Sequence, residues 1–560
     1  MFRGNVGGNA TGMRVLGINA VFHDSSAVLV VDGQIVAAAE EERFNRRKHG
    51  KACLPFSAWE LPEHAIAWCL ERGGISATDL DAVAYSYDPA LATGGAPSHD
   101  LLADDYEGLR TYYVERLPQF LRTLVGTFDA AIRYVPHHVA HAASAYLCAP
   151  FSSSATLAID GRGECGSFLA GHVRDGRLET LATVPLPHSL GLRYEDLTVH
   201  LGFHRSSDEY KVMGMAAYGQ PRFAQRLREQ MYAQGLGFHA PPIDYSQYCA
   251  PRLPASDGFS QEHADLAASV QQRLQEILVD IGATLHERTG ERDLTFAGGV
   301  ALNCVANTYL AEHGPFRRVW VQPAAGDAGT ALGAALYVAA QAAERIAPMR
   351  TAALGRSWDA ESVRSRLDVA NLVYAKPNDL AEAVAAVLAE NGLVAWFQGA
   401  SEFGPRALGH RSLLAHPGHD NLRRLNDVKG REQFRPVAPM VLAERAAEIF
   451  AGPLPSPYML FTQRVRDGWR ERLPTITHVD GTARVQTVDA ADEPLMAAVL
   501  QAFERRTGLP VLVNTSLNTA GRPMVDDPSD VLELFGSTPV DALAIGPYLL
   551  QRRSQLVVAA

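Results

Sequence analysis

Cysteine is scarce in this chain: six in 560 residues, at positions 53, 69, 148, 165, 249 and 304, with no C-x-x-C pair. That spacing excludes a zinc ribbon and a disulfide framework and leaves the thiols as reduced core residues. No run of about 18 apolar residues occurs, so there is no membrane-spanning segment to assign. The first twelve residues, MFRGNVGGNATG, lack the apolar centre of a signal peptide and read as a disordered tail or an upstream start before Met13. A soluble, cytoplasmic protein is expected. Positive charge is also in deficit, with 51 Lys and Arg against 62 Asp and Glu, a net charge of −11. Such a chain has no global basic field to draw in nucleic acid or an acidic membrane surface, and neither is expected as a partner.

What is there belongs to an ordinary globular protein, with 47% hydrophobic and 20% charged residues. The length suggests about three to four folding units, or two large lobes. One layout occurs twice. Val15 to Asn19 reads as a strand, His23 to Ser26 as a polar turn, Ala27 to Val31 as a second strand, Asp32-Gly33 as a tight hairpin and Gln34 to Ala39 as a third strand. Ala155 to Ile159, the turn Asp160 to Glu164, Ser167 to Val173, Asp175-Gly176 and the run from Arg177 repeat that order. Two such units with facing polar turns point to an actin-like ATPase fold, whose turns hold nucleotide phosphates. Gly298, Gly299 and Asn303 after the strand Thr295 to Ala297 fit a flat ligand such as adenosine, and Gly329 opens an Ala-rich helix over Ala328 to Ala343. Ile346 to Ser357 reads as a linker, and an α/β region follows with a helix over Leu380 to Glu390 and strands over Leu393 to Phe397 and Val511 to Asn514.

The chemistry-bearing residues fall into two groups. In HHVAHAASAY, His137 and His141 stand four apart on one helix face, the spacing for two ligands of one ion, and Asp160 and Asp327 in Gly-flanked loops offer carboxylates. Imidazole with carboxylate suits iron, zinc or manganese rather than calcium. The second group is basic: Arg406 and Arg411 in GPRALGHRSL, Lys429, Arg431 and Arg435 in KGREQFRP, and Arg484, with Asn514, Thr515 and Ser516 as donors. Clustered amid apolar flanks in an acidic protein, these predict a polyanion pocket for two phosphate groups. His23 and Asp24 are catalytic or merely close their turn. The charged run Glu40 to His49 and the Gly-rich run Lys211 to Gly219 suggest anion, nucleotide or acceptor contacts by position.

Together, GINAVFHDSSAVLVVDGQIVAAAEEERF, HHVAHAASAY, DGRGE, FAGGVALN, GDAGTALGAA, FGPRALGHRSLL, KGREQFRP and NTSLN resemble the carbamoyltransferase family of nodulation protein NodU, the cephem carbamoyltransferase and the tobramycin carbamoyltransferase. The resemblance implies a TsaD-like carbamoyl-transfer domain on an actin-like fold over 13–350 and a YrdC-like domain over 358–560. It implies that ATP, with Mg2+, and carbamoyl phosphate form carbamoyl adenylate in the second domain. The carbamoyl group then passes to a hydroxyl of a small natural-product acceptor in the first, as in antibiotic biosynthesis. By motif, His137, His141, Asp160 and Asp327 match ligands of Fe(II) or another divalent transition metal, and His23 a transfer-site residue. Lys429, Arg435 and Arg484 match cations of the adenylate-forming site, and Arg406 and Arg411 lie in the matching GPRALG motif. The chain departs from the family pattern after NTSLN, where an arginine is expected about two residues on and Thr519-Ala520-Gly521-Arg522 stands instead. A sugar kinase or ATPase on the same fold would not need the Lys429 to Arg435 cluster, and a tRNA-modifying relative is disfavoured by the charge. A homodimer is left open.

Overall fold

The computed structural model describes residues 12–51, 60–94, 111, 113–253 and 258–552. The leading tail up to residue 11, Cys53 and most of the 91–112 stretch lie outside the described residues. Alternation of short apolar runs with DG turns builds the first sheet: β1 (Arg14–Asn19), β2 (Ser26–Val31), β3 (Gln34–Glu40), β4 (Ala82–Tyr85) and β5 (Ala131–Tyr134). They lie in the order β3-β2-β1-β4-β5, the first three antiparallel and the last two added parallel. Both residues of each expected hairpin turn have positive φ, 53° and 72° at Asp32 and Gly33, 51° and 71° at Asp175 and Gly176. Such a turn matches the twist of the flanking strands.

The second lobe repeats the arrangement. Its strands are β6 (Ser153–Ile159), β7 (Gly166–Arg174), β8 (Arg177–Pro185), β11 (Asp293–Ala297) and β12 (Arg318–Val321), and a small hairpin of β9 (Tyr232–Gln234) and β10 (Gly237–His239) lies outside the sheet. Read as β8-β7-β6-β11-β12, strand order and directions equal those of the first sheet. The duplicated five-stranded unit makes this half an actin-like ATPase fold.

The C-terminal α/β domain is centred on a mixed seven-stranded sheet. Its members are β13 (Val394–Phe397), β14 (Arg411–Ala415), β15 (Ala438–Leu442), β19 (Gln486–Val488), β20 (Val511–Ser516), β21 (Ala542–Ile545) and β22 (Tyr548–Gln551), in the order β19-β15-β20-β14-β13-β21-β22. Every residue of the VAWF strand is buried, as a continuous apolar run predicts for a central strand covered on both faces. A three-stranded sheet of β16 (Phe450–Ala451), β17 (Gln463–Val465) and β18 (Thr482–Ala483) carries Arg484 at its end.

Two features bring the parts together. The helix Ala328–Gln341, rich in Ala and Gly, runs between the lobes and packs on the helix His137–Tyr146; a Cβ on Gly333 would overlap the Ala140 carbonyl oxygen. Charged side chains then stitch the first half to the C-terminal domain. Buried Arg43 pairs with Glu40 at 2.6 Å and donates to the Gly404 carbonyl at 2.9 Å, Arg46 donates to the Met524 carbonyl at 2.6 Å, and Lys211 pairs with Glu432 at 2.9 Å. The sequence reads Glu40 to His49 as a solvated helix end or a substrate contact; Glu42–Asn45 is one short turn of helix, and Arg43 is buried in this seam.

Gly333→Val should force the two helices apart and destabilise the protein by at least about 2 kcal/mol in chemical denaturation. Gly536→Ala, in the helix Pro528–Ser537 with nothing near its added Cβ, should instead stabilise it by up to about 1 kcal/mol.

Candidate active site

The two polar turns face one another across a cavity of about 430 Å³. At one end stand His23, Asp160 and Asp327; at the other stand Arg406, Arg431, Arg435 and Arg484.

The first end is built from the helix His137–Tyr146, whose four-residue spacing between His137 and His141 puts both rings on one face, nearly perpendicular with centroids 4.6 Å apart. Glu164 accepts the His137 backbone N–H at 2.8 Å and so satisfies the start of that helix. The His137 Nδ1 lies 3.1 Å from the Ser86 carbonyl, which fixes the proton there and leaves the Nε2 lone pair aimed at the His141 Nε2, 3.1 Å away. Asp327, at the head of the Ala-rich helix, brings Oδ1 to 3.5 and 3.4 Å from the two Nε2 atoms, and Asp160 brings Oδ2 to 3.6 and 3.8 Å. Asp160 Oδ1 is held by the Gly299 N–H at 2.7 Å.

All four residues are buried, and their ligand atoms lie within 4.8 Å of one another. With metal–ligand bonds of about 2.0–2.2 Å, neighbouring ligand atoms on one ion stand roughly 3.0–3.4 Å apart, close to the spacing seen. Two imidazole nitrogens and two carboxylate oxygens converging in a buried space, with Asp327 Oδ2 left without a hydrogen-bond partner among the described residues, fit a divalent transition-metal ion. Burial alone would make His137 harder to protonate, but Asp160 and Asp327 outweigh it and hold its pKa well above the ordinary value. The four groups thus create a demand for positive charge at their centre.

His23 sits beside this cluster, with Nδ1 2.9 Å from Asp24 Oδ2 and 4.0 Å from Asp327 Oδ2. Asp24 also faces His49 Nδ1 at 2.8 Å. Burial works to raise the Asp24 pKa, but His49 and His23 outweigh it and keep the carboxyl well below the usual range.

At the other end four guanidiniums converge. Arg435 has a carboxylate partner, Glu432 at 3.4 Å, but Glu432 is shared with Lys211. Among the described residues, Arg406, Arg431 and Arg484 have no carboxylate within salt-bridge distance, and the Nε atoms of Arg406 and Arg484 are buried without a hydrogen-bond partner. Burial, and then repulsion from Arg484, pulls the Arg406 pKa down to about 9; burial, then Arg435, does the same to Arg431, also to about 9. Charges buried without counter-ions are costly, and an anion bound among them removes that cost.

Several expected residues take other places. Arg411 does not line the cavity: its guanidinium donates to the carbonyls of Gln398 and Arg356 and lies 3.9 Å from the Phe397 ring centroid, tying the linker to the sheet. Lys429 stands one layer behind, its Nζ bonded to the Ser516 carbonyl and to Asn518 Oδ1 at 2.7 Å, so that it props up the segment carrying Thr515 and Ser516. Burial, with Arg431 and Arg435 beside it, holds its pKa well below the ordinary value. Gly298 (φ 93°) and Gly329 are also behind the wall; their added Cβ atoms would overlap the carbonyls of Ile159 and Ala324. Gly299, Asn303, Asn514, Thr515 and Ser516 do line it. Arg522, standing where the family pattern shifts, lines the cavity as well and pairs with Glu533 at 2.7 Å.

Sequence reading missed Glu195, Glu209, Tyr210 and His478, all in the cavity wall. Of these, Glu209 and Tyr210 adjoin the Lys211 to Gly219 run and could have been found by extending it.

Residues 14–336 match the family model for the carbamoyltransferase N-terminus, and residues 385–552 that for the carbamoyltransferase C-terminus. The chain belongs to the carbamoyltransferase family. It is similar to nodulation protein NolNO of Sinorhizobium fredii, with 37% identity over 96% of this chain and 80% of that one. A further relative is nodulation protein U of the same organism, with 31% identity over 91% and 94%. An uncharacterised protein of Synechocystis shares 36% identity over 97% of both chains. This carbamoyltransferase is therefore an enzyme, and among its described residues no helix is long and apolar enough to cross a membrane.

Loaded with a first-row transition metal, the wild-type enzyme should hold about one ion per chain by elemental analysis, and His141→Ala should reduce that at least about tenfold. His138→Gln, which alters a buried ring outside the four-residue cluster, should keep the ion.

Proposed function

We propose that this carbamoyltransferase forms carbamoyl adenylate at its arginine-lined end: water releases phosphate from carbamoyl phosphate, and the resulting carbamate oxygen attacks the α-phosphorus of ATP and displaces pyrophosphate. The enzyme then passes the carbamoyl group to a hydroxyl of a small-molecule acceptor beside His23, releasing AMP. The observation that carries the reading is that one cavity connects four cations short of counter-ions to a buried His and Asp cluster. A nucleotide with a second phosphate compound supplies the anions that the arginine-lined end lacks. Adenylate formation is assigned to the C-terminal domain, beyond the linker near residue 350, and transfer to the actin-like half.

In this reading Arg406, Arg431, Arg435 and Arg484 bind and orient the phosphates, and Lys429 positions Ser516 and Asn518 from behind. At the transfer end, Asp24 keeps a proton on His23 Nδ1, so that Nε2 can take the proton from the acceptor hydroxyl. A divalent transition metal held by His137, His141, Asp160 and Asp327 would supply Lewis acidity when bound. Carbamoyl adenylate is a mixed anhydride that water would destroy, and an internal path between the ends keeps it from bulk solvent. The acceptor is a small molecule because the cavity is of small-molecule size; a natural-product hydroxyl fits the family resemblance.

The two ends should fail separately. Arg435→Ala should lower pyrophosphate release by roughly 100-fold, the loss of one preorganised donor, yet still transfer from supplied carbamoyl adenylate. His137→Ala should release pyrophosphate near the wild-type rate and carbamoylate no acceptor. A folded His137→Ala protein that stops pyrophosphate release as completely as Arg435→Ala would refute two coupled sites.

A further inference from the structure

A second hydrogen-bonded constellation lines the cavity; it shares Asp24 with His23, and carbamoyl transfer as proposed does not use its other members. His49 Nδ1 faces Asp24 Oδ1 at 2.8 Å, and His49 Nε2 faces Ser207 Oγ at 2.9 Å. With the Nδ1 proton directed to the carboxylate, Nε2 carries the lone pair, so the Ser207 hydroxyl donates to it. Lys48 Nζ donates to the same Oγ at 3.1 Å. All four residues line the cavity and none is fully buried. They come from three separate segments: the turn after β1, the run after Glu42–Asn45, and the loop before the helix Glu209–Ala216.

The backbone beside the serine is held in an uncommon state. Ser206 has φ 56°, and its N–H donates to Glu209 Oε1 at 2.8 Å. A non-glycine residue in the left-handed region costs on the order of 1 kcal/mol and persists where surrounding contacts impose it, commonly at functional sites. Asp24, Glu42 and His49 also lie close enough together to hold a cation. Their donor atoms are otherwise engaged: both His49 nitrogens are in the relay, Glu42 Oε2 accepts the His49 N–H at 2.8 Å, and Glu42 Oε1 pairs with Arg43 at 3.0 Å. Hydroxyl, imidazole and carboxylate in this order are what a serine nucleophile requires.

We propose that Ser207 is a nucleophile activated by His49 and Asp24, and that it attacks activated carboxylic esters that enter the cavity. The Oγ–carbonyl carbon bond forms as the Oγ proton moves to His49 Nε2. The bond from that carbon to the leaving oxygen then breaks, and the leaving oxygen takes the proton from His49. Water next attacks the acyl-serine, giving its proton to His49; the acid departs and Ser207 Oγ is reprotonated. The net reaction is hydrolysis of the activated ester. Lys48 lies where it balances negative charge developing at Oγ. This chemistry needs neither ATP nor carbamoyl phosphate and stands apart from the transfer reading.

The test treats the full-length enzyme with a fluorophosphonate probe, without ATP or carbamoyl phosphate, and locates the adduct by peptide mass spectrometry. One adduct per chain on Ser207 is expected, with a p-nitrophenyl acetate burst of matching size, and Ser207→Ala should lose both. His49→Gln, checked for folding by circular dichroism, should label at least about 100-fold more slowly. No adduct on Ser207 in the wild-type protein, or labelling of folded His49→Gln at the wild-type rate, would overturn the proposal.

Discussion

Contact between two backbones at the centre of the molecule governs the positions of the groups around it. Because Gly333 lies directly against the Ala140 carbonyl, the helices His137–Tyr146 and Ala328–Gln341 approach far more closely than side-chain packing would allow. One helix carries His137 and His141, and Asp327 immediately precedes the other. The relative positions of three of the four ligand residues are thus set by the closeness of two helices, while Asp160 comes from the turn after β6 and is held there by the Gly299 N–H. Ser26 Oγ donates to the Ala328 carbonyl at 2.8 Å, tying the first lobe's sheet to the same point.

At the opposite end the constraint is electrostatic. Four guanidiniums are kept near one another by strands and loops of the C-terminal domain and by Leu302 of the actin-like half, whose carbonyl accepts from Arg406 at 3.4 Å. Their mutual repulsion is a standing cost to the fold. A highly charged anion bound among them would relieve more of it than a singly charged one.

The sequence was most informative where local rules dominate. Hairpin turns at Asp32-Gly33 and Asp175-Gly176, the helix spacing of His137 and His141, and the duplicated strand order depend on short-range preferences that appear directly in the residues. A run of basic residues was harder to read, because which of them faces a cavity depends on strand register and on distant partners. Arg411 and Arg406 are five apart in one motif, yet one is used up on backbone carbonyls and the other lines the cavity wall. Lys429 likewise looks equivalent to Arg431 until Ser516 and Asn518, nearly ninety residues on, are placed beside it. The Asp24, His49 and Ser207 relay was out of reach for the same reason, as Ser207 lies 158 positions from its histidine.

The seam joining the two halves has a consequence for how such chains can diverge. Arg43 to Gly404, Arg46 to Met524 and Lys211 to Glu432 are contacts in which each half supplies one member. Glu432 serves at once as a partner of Lys211 across the seam and of Arg435 in the cavity. An exchange of C-terminal domains between relatives would therefore keep Lys211 paired across the seam only where the incoming domain supplies an acid at the place of Glu432. Recombination at the linker is thus constrained by contacts far from it in sequence, to which each half contributes one member.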